Sequence, residues 1–110
     1  MTVIVPVARR VKVSVSDAWL KKMVEVALRG AKMKTSVEVG IVFISDREMT
    51  KLNAVHRNKM KTTDVLSFAD GEHGLLGDIV ISVAQAERQA KAAKTPLRSE
   101  LAMLVVHGVL

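Results

Sequence analysis

The chain has 110 residues, of which 49% are hydrophobic, and it carries a formal net charge of +6 from 17 basic and 11 acidic side chains. This composition predicts one folded domain rather than a disordered chain, and the lack of cysteine excludes disulfides, thiolate metal ligands and cysteine nucleophiles. The first residues lack a cationic segment before an apolar core, and no apolar run could cross a bilayer, so we expect no signal peptide and no membrane span.

Periodicity, caps and turn residues predict eight elements in the order strand, helix, strand, helix, strand, strand, helix, helix. Their expected bounds are 3–15, 17 to about 31, 37–44, 45 to about 56, 64–68, 77–82, 82 to about 94, and 96–110. The first strand is expected to break near Pro6, because proline cannot donate to a sheet. Residues 57–63 are predicted to form a basic loop and residues 69–76, with Gly71 and Gly74, a mobile connection.

The helix starts rest on capping residues. Ser16 is a typical N-cap, and Ser45 and Ser82 each precede a glutamate or glutamine by three residues, the spacing of a capping box. Thr95 is predicted to cap the last helix, and Pro96 suits its first position. The whole pattern predicts an α+β fold: a single domain over residues 1–110, with a mixed sheet of about four strands packed with about four helices.

The basic charge favours a polyanionic partner, and RNA is the most common one in a cytoplasm. Many small bacterial proteins are basic without binding nucleic acid, so charge alone leaves both interpretations open. The three aromatic residues, Trp19, Phe43 and Phe68, are too few for a platform on which bases stack. Any RNA contact is therefore expected to involve mainly the backbone.

Two segments carry the most specific residues. One is L-N-A-V-H-R-N-K-M-K-T-T-D-V-L-S-F, residues 52–68. The other is L-L-G-D-I-V-I-S, residues 75–82, followed at the end of the sequence by E-L-A-M-L-V-V-H-G-V-L. Together they resemble the YbeY family of bacterial endoribonucleases of rRNA maturation. The most specific pieces are L-N-x-x-x-R, T-D-V-L-S-F, G-D-I and H-G-x-L, and the resemblance covers almost the whole chain.

The resemblance implies a metzincin-like architecture and a zinc-dependent endoribonuclease specific for single strands. Its expected work is maturation of the 16S rRNA 3′ end and ribosome quality control in the cytoplasm. The expected partners are rRNA precursors and the small ribosomal subunit or its assembly factors. The oligomeric state is not implied.

The family's metal motif is H-G-x-L-H-x-x-G-x-x-H, and this sequence contains only its H-G-V-L. By resemblance His107 is the first of three zinc ligands, and the other two are absent, so we expect a domain truncated at its C-terminus, with little or no metal-dependent activity. His56 and His73 could in principle join His107, but they lie in polar segments without ligand spacing. The alternative for His107 is an imidazolium near the negative end of a helix dipole.

Arg57 resembles the family's active-site arginine, and its guanidinium could clamp a phosphate with two hydrogen bonds. The alternative is an exposed arginine at a helix end. Lys59 and Lys61 are predicted as solvated loop charges that also contact RNA. Ser67 is a candidate for substrate contact, or simply an exposed strand serine.

Two aspartates are predicted near the site. Asp64 is either a turn residue that holds the loop or a residue that orients the strand beside the cleft. Asp78 is predicted to be structural, with its side chain hydrogen-bonded beneath the site.

Two other functions are weighed against the nuclease. A zincin protease needs a glutamate directly after its first histidine, and here that residue is Gly108. A non-catalytic module would bind RNA or the ribosome through its basic surface, and its binding would weaken with salt.

Overall fold

The computed structural model describes residues 3–29, 37–56, 65–70 and 74–109. The elements within these residues confirm the predicted α+β class. In chain order they are β1 (Val3–Ile4), β2 (Val7–Arg9), α1 (Asp17–Leu28), β3 (Val37–Ile44), α2 (Asp46–His56), β4 (Val65–Asp70), β5 (Gly74–Ser82), α3 (Val83–Ala93) and α4 (Leu97–Val109).

The sheet is mixed, as predicted, with the strand order β1-β3-β5-β4 and with β2 also paired to β3. β5 pairs with the whole length of β3, so β1 and β2 share the other edge of β3 and the sheet is four strands wide. β3 is parallel to β1, β2 and β5, whereas β4 and β5 form an antiparallel pair.

The N-terminal strand differs from its prediction. Two short strands flank Pro6, whose carbonyl accepts a hydrogen bond from the Ile41 amide over 2.9 Å, so the chain stays attached to β3. Residues 11–15 do not form a strand. Their valines nevertheless pack on the core, with Val15 buried and Val11 and Val13 half-buried. The alternation of apolar residues therefore predicted correctly which side chains pack on the core. The hydrogen-bonded strand, however, ends at Arg9.

The mobile connection predicted for residues 69–76 is wrong outside residues 71–73, which lie beyond the described part of the chain. β4 continues to Asp70 and β5 begins at Gly74, and the two residues are paired in the antiparallel register. The glycines indicated a turn in this region. Cross-strand hydrogen bonds nevertheless extend β4 to Asp70 and start β5 at Gly74.

The three predicted serine caps form, whereas within the described residues the Thr95 side chain makes no capping hydrogen bond. Ser16, Ser45 and Ser82 each accept a hydrogen bond from the backbone N–H three residues later, over 3.1, 3.2 and 3.3 Å. α4 begins one residue after its predicted start, because the Pro96 carbonyl accepts the first helical hydrogen bond, from the Glu100 amide at 3.3 Å. These bonds fix the points at which the chain leaves the sheet.

The main core lies between one face of the sheet and the helices α1, α3 and α4. Alternate residues of β3 and β5 point into it: Val37, Val39, Ile41, Phe43, Ile79 and Ile81. A smaller cluster on the opposite face joins Met49 of α2 to Ile44 and Val80, so the sheet is covered on both sides. The longest helix that the structure describes, α4, has 13 residues, and no described helix is long and apolar enough to span a membrane.

Candidate active site

The structure describes two of the predicted site residues in full, Asp78 in β5 and His107 in the last turn of α4, and both are exposed. Ser67 lies opposite Gly77 in the β4–β5 register, and only its backbone position is described. Four predicted residues lie outside the described part of the chain: Arg57, Lys59, Lys61 and Asp64. Their roles stay predictions.

α4 holds His107 at the protein surface. Leu101, Leu104 and Val105 are buried and fix the helix against α1 and the sheet. His107 lies on the outer side, one turn after Met103, which is 55% exposed. An exposed imidazole can bind a metal or a substrate, and a position in the last turn also suits an imidazolium at the helix dipole. The geometry agrees with both interpretations of His107.

The described residues do not fit a complete zinc site. No three His, Cys, Asp or Glu residues among them lie close enough together to hold a metal ion. His56 ends α2 without a described side chain, and His73 lies outside the described ranges. A protein zinc site needs at least three side-chain ligands, and among the described residues His107 offers a single imidazole.

Asp78 lies on the sheet face opposite the main core, directly across from Gly40 of β3. A Cβ atom at Gly40 would collide with the Oδ1 atom of Asp78, so the carboxylate leans across the neighbouring strand into the space that glycine leaves. The side chain is exposed, and among the described residues it makes no ion pair or hydrogen bond. The predicted hydrogen-bonded structural role of Asp78 therefore has no partner within the described residues, and steric contact with β3 places its carboxylate.

The first turn of α2 is tied to two other elements. Asp46 accepts a hydrogen bond from the buried hydroxyl of Ser82 over 2.6 Å and forms an ion pair with Arg88 of α3 at 2.7 Å. Glu48 forms an ion pair with Arg10 at 2.7 Å. α2 ends at His56, so these contacts fix the helix that precedes Arg57 in the chain.

The carboxylate of Asp46 is stabilised in its charged form. The hydrogen bonds from Arg88 and then Ser82 lower the pKa of Asp46, and the positive charge of Arg88 adds to this, whereas desolvation opposes it. The same contact raises the pKa of Arg88. The ion pair therefore persists through the neutral range and is sensitive to acid.

The links through Asp46 and Glu48 were absent from the sequence predictions. The two capping patterns at Ser45 and Ser82 carried part of the signal, because they place both serines at the carboxyl ends of adjacent parallel strands. That placement brings Asp46 beside Ser82. The ion pair between Arg88 and Asp46 could not be predicted from a local pattern, since the two residues are 42 positions apart.

The fold and the surface histidine define an α+β domain in which a largely parallel sheet carries a C-terminal helix with an exposed imidazole. A family model described as "Endoribonuclease YbeY" matches residues 7–110. The chain belongs to this family.

The relatives agree with this assignment. The chain is 40% identical over 94 residues to "Endoribonuclease YbeY" of Aquifex aeolicus, covering 82% of this chain and 62% of the relative. It is 39% identical over 112 residues to "Endoribonuclease YbeY" of Desulforamulus reducens, covering 90% of this chain and 73% of the relative. The chain thus spans about two thirds of the length of these relatives.

A solved structure supports the fold alone. The solution structure of TM1509 from Thermotoga maritima superimposes with a TM-score of 0.65 at 24% identity, over 96% of this chain and 69% of that one.

We predict that Asp46→Asn lowers the free energy of unfolding by about 1 kcal/mol at pH 7, because it removes a partly exposed ion pair. The pKa of Asp46 is lowered by folding, so this contribution is present above the unfolded pKa near 4 and disappears as the pH falls through the lower folded pKa. Denaturant titrations between pH 7 and pH 2 measure it. Glu87→Gln, an equal charge change at an exposed position of α3, serves as the control. A difference between Asp46→Asn and the parent that does not shrink as the pH falls below 4 would contradict this account.

We predict that Gly40→Ala destabilises the protein by about 1 kcal/mol, because the new methyl group forces the Asp78 carboxylate to move. The cost should vanish in an Asp78→Ala background and remain in Asp78→Asn, which keeps the volume and removes the charge. Free energies of unfolding from denaturant titration form the double-mutant cycle. An equal cost in all three backgrounds would show that the two side chains do not interact.

Proposed function

We propose that the protein acts as an endoribonuclease on single-stranded RNA, in maturation of the 16S rRNA 3′ end. The observation that carries this proposal is the family match over residues 7–110, a range that includes α2, the β4–β5 pair and α4, where the family motifs lie. The net charge of +6 supports a polyanionic substrate. Precursor rRNA and the small ribosomal subunit are the partners that this function requires, and the cytoplasm is its compartment.

Arg57 is the residue to which we assign phosphate binding. Its guanidinium offers a planar fork that matches two oxygens of a phosphodiester, and its charge offsets the negative charge that builds up on the phosphoryl oxygens during cleavage. The anchoring of α2 supports this assignment, since the helix that precedes Arg57 in the chain is fixed at its first turn and by buried Met49. Lys59 and Lys61 follow in the same segment and would contact neighbouring phosphates.

Zinc dependence rests on the family resemblance. We assign His107 as one ligand, supported by its exposure in the last turn of α4. The described residues supply no further ligands, so we assign no step of the cleavage to zinc.

A non-catalytic RNA-binding module is the second candidate, and the lack of a metal-binding cluster within the described residues favours it. Binding without cleavage would then be the activity of these 110 residues. A metalloprotease is disfavoured, because Gly108 is part of the helix directly after His107 and offers no carboxylate to activate water.

We expect the 110-residue chain to retain much less than one zinc per chain after dialysis against a weak chelator, because one imidazole does not hold zinc tightly. Elemental analysis provides the stoichiometry. One zinc per chain that disappears in His107→Ala and persists in His56→Ala would contradict this expectation. It would show that a site forms around His107 in these 110 residues.

The nuclease is tested in a fusion that appends the C-terminal segment of the Aquifex aeolicus relative after Leu110. We expect it to cut a 5′-labelled single-stranded RNA at internal positions. Arg57→Ala should lower the cleavage rate about 10²–10³-fold, the usual effect of losing one group that stabilises transition-state charge.

The matched control is Lys51→Ala, which removes an exposed cation from α2 and should change the rate less than threefold. An inactive fusion that still binds RNA would favour the non-catalytic module. Equal rates for the parent and Arg57→Ala would remove Arg57 from the mechanism.

A further inference from the structure

The segment after β2 presents cations outward in a regular pattern. Val11 and Val13 pack against the core, whereas Arg10, Lys12 and Ser14, which alternate with them in sequence, are exposed. Alternation of this kind places the exposed side chains on one side of the segment. Positions two residues apart lie at most about 7 Å from each other, so Arg10 and Lys12 are close enough to contact one strand together.

The segment is anchored at both ends. The Arg10 amide donates to the Phe43 carbonyl of β3 over 2.9 Å, and its guanidinium forms an ion pair with Glu48 at 2.7 Å. Arg9 donates to the Val15 carbonyl at 2.6 Å and forms an ion pair with Asp17 at 2.6 Å. Fixed guanidinium groups lose less side-chain entropy when they bind a ligand.

Donors remain available after these contacts. Arg10 uses one nitrogen, Nη1, for Glu48, and its side chain is 64% exposed. Among the described residues Lys12 makes no ion pair. Arg9, Arg10, Lys12 and Ser14 line one surface pocket of about 550 Å³ together with the edges of Val11 and Val13. The depression is shallow and open to solvent, which suits contact with the backbone of a strand lying across the surface.

We propose that Arg10 and Lys12 form a phosphate-binding surface, named here the 10–14 surface, which binds the backbone of single-stranded RNA. This inference rests on the proposed function, because RNA is the polyanion that the enzyme would have to hold. It extends that function by assigning substrate contact to the segment between β2 and α1.

A basic surface can also bind an acidic protein, but the chemistry here favours phosphates. Arg10 offers a planar fork that suits phosphate oxygens, and Lys12 adds a second exposed cation to the same surface depression. Among the residues whose side chains the structure describes, no aromatic lines the pocket, so the contact would be to the backbone and would tolerate any base sequence.

The test is binding of a fluorescein-labelled single-stranded RNA to the 110-residue chain, measured by anisotropy over a series of salt concentrations. Arg10→Ala combined with Lys12→Ala should weaken binding about tenfold at 0.1 M salt. It should reduce the slope of log K against log salt by about 1.4, since each phosphate contact to a single strand contributes about 0.7.

Two controls separate this site from general charge. Lys21→Ala with Lys22→Ala removes the same charge from the exposed side of α1 and should leave the slope unchanged. Arg10→Lys keeps the charge and loses the fork, so it should keep the slope and weaken binding less than the double variant. Thermal unfolding of each variant shows that it is folded.

The outcomes are distinct. Equal losses in the two double variants would overturn the 10–14 surface and leave the proposed function intact. No salt-dependent RNA binding by the parent chain would overturn both. Equal loss of binding to a polyglutamate of the same charge as the RNA would reassign the surface to acidic proteins. The expected changes, confined to Arg10 and Lys12 and to RNA, would support it.

Discussion

The structure depends on the pairing of β3 along both of its edges. β3 runs parallel to β5 over eight residue pairs, from Val37 with Leu75 to Ile44 with Ser82, and its other edge carries β1 and β2. A strand paired on both sides has all its backbone groups available for hydrogen bonds within the sheet, so it can be buried on both faces without an energetic penalty. Seven of its eight residues are buried or half-buried, and Glu38 is the exception.

This burial explains why β3 matched its sequence prediction at both ends. A mainly apolar run rich in β-branched residues and bounded by serines is a local signal, and the strand that it predicts lies inside the sheet, paired on both edges. The serine caps were predictable for the same reason, because a cap satisfies backbone groups within three residues of itself. Local signals therefore fixed the centre of the sheet and the points where three helices start.

The errors occurred where distant pairing decides the structure. Residues 69, 70 and 74–76 have glycines nearby and looked like a loop, but β4 and β5 pair through them. Residues 11–15 have the alternation of a strand, yet the chain turns from β3 after the Arg10 amide, and only their apolar side chains stay in the core. In the first case each residue is paired with one on the neighbouring strand, and in the second the structure, which describes all of residues 11–15, shows no strand pairing for them. Neither outcome is visible in the local sequence pattern.

In the candidate site, too, local motifs identified individual residues but not their surroundings. His107 and Asp78 were identifiable from short motifs, and the structure places both at the surface. Their surroundings were not predictable. Nothing adjacent in sequence indicates that Asp78 would lean across Gly40, since the two residues are 38 positions apart and meet only through the β3–β5 register. Motifs identify chemical groups, whereas the register of the sheet decides what those groups face.

Two carboxylates near the carboxyl ends of the parallel strands form ion pairs that tie neighbouring parts of the fold together. Asp46 and Glu48, both in the first turn of α2, hold Arg88 and Arg10, which come from elements on either side of that helix. Negative charge at a helix N-terminus is favourable in itself, so these carboxylates stabilise α2 even without their partners.

The same carboxylates orient the arginines at the surface. Arg10 is 64% exposed while its position is fixed, and an oriented, solvent-facing guanidinium can bind a polyanion without first losing its own freedom. Electrostatics that anchor α2 can thus prepare the adjacent basic segment to hold RNA. Stability and substrate binding then draw on one set of ion pairs, and a change to Glu48 should affect both.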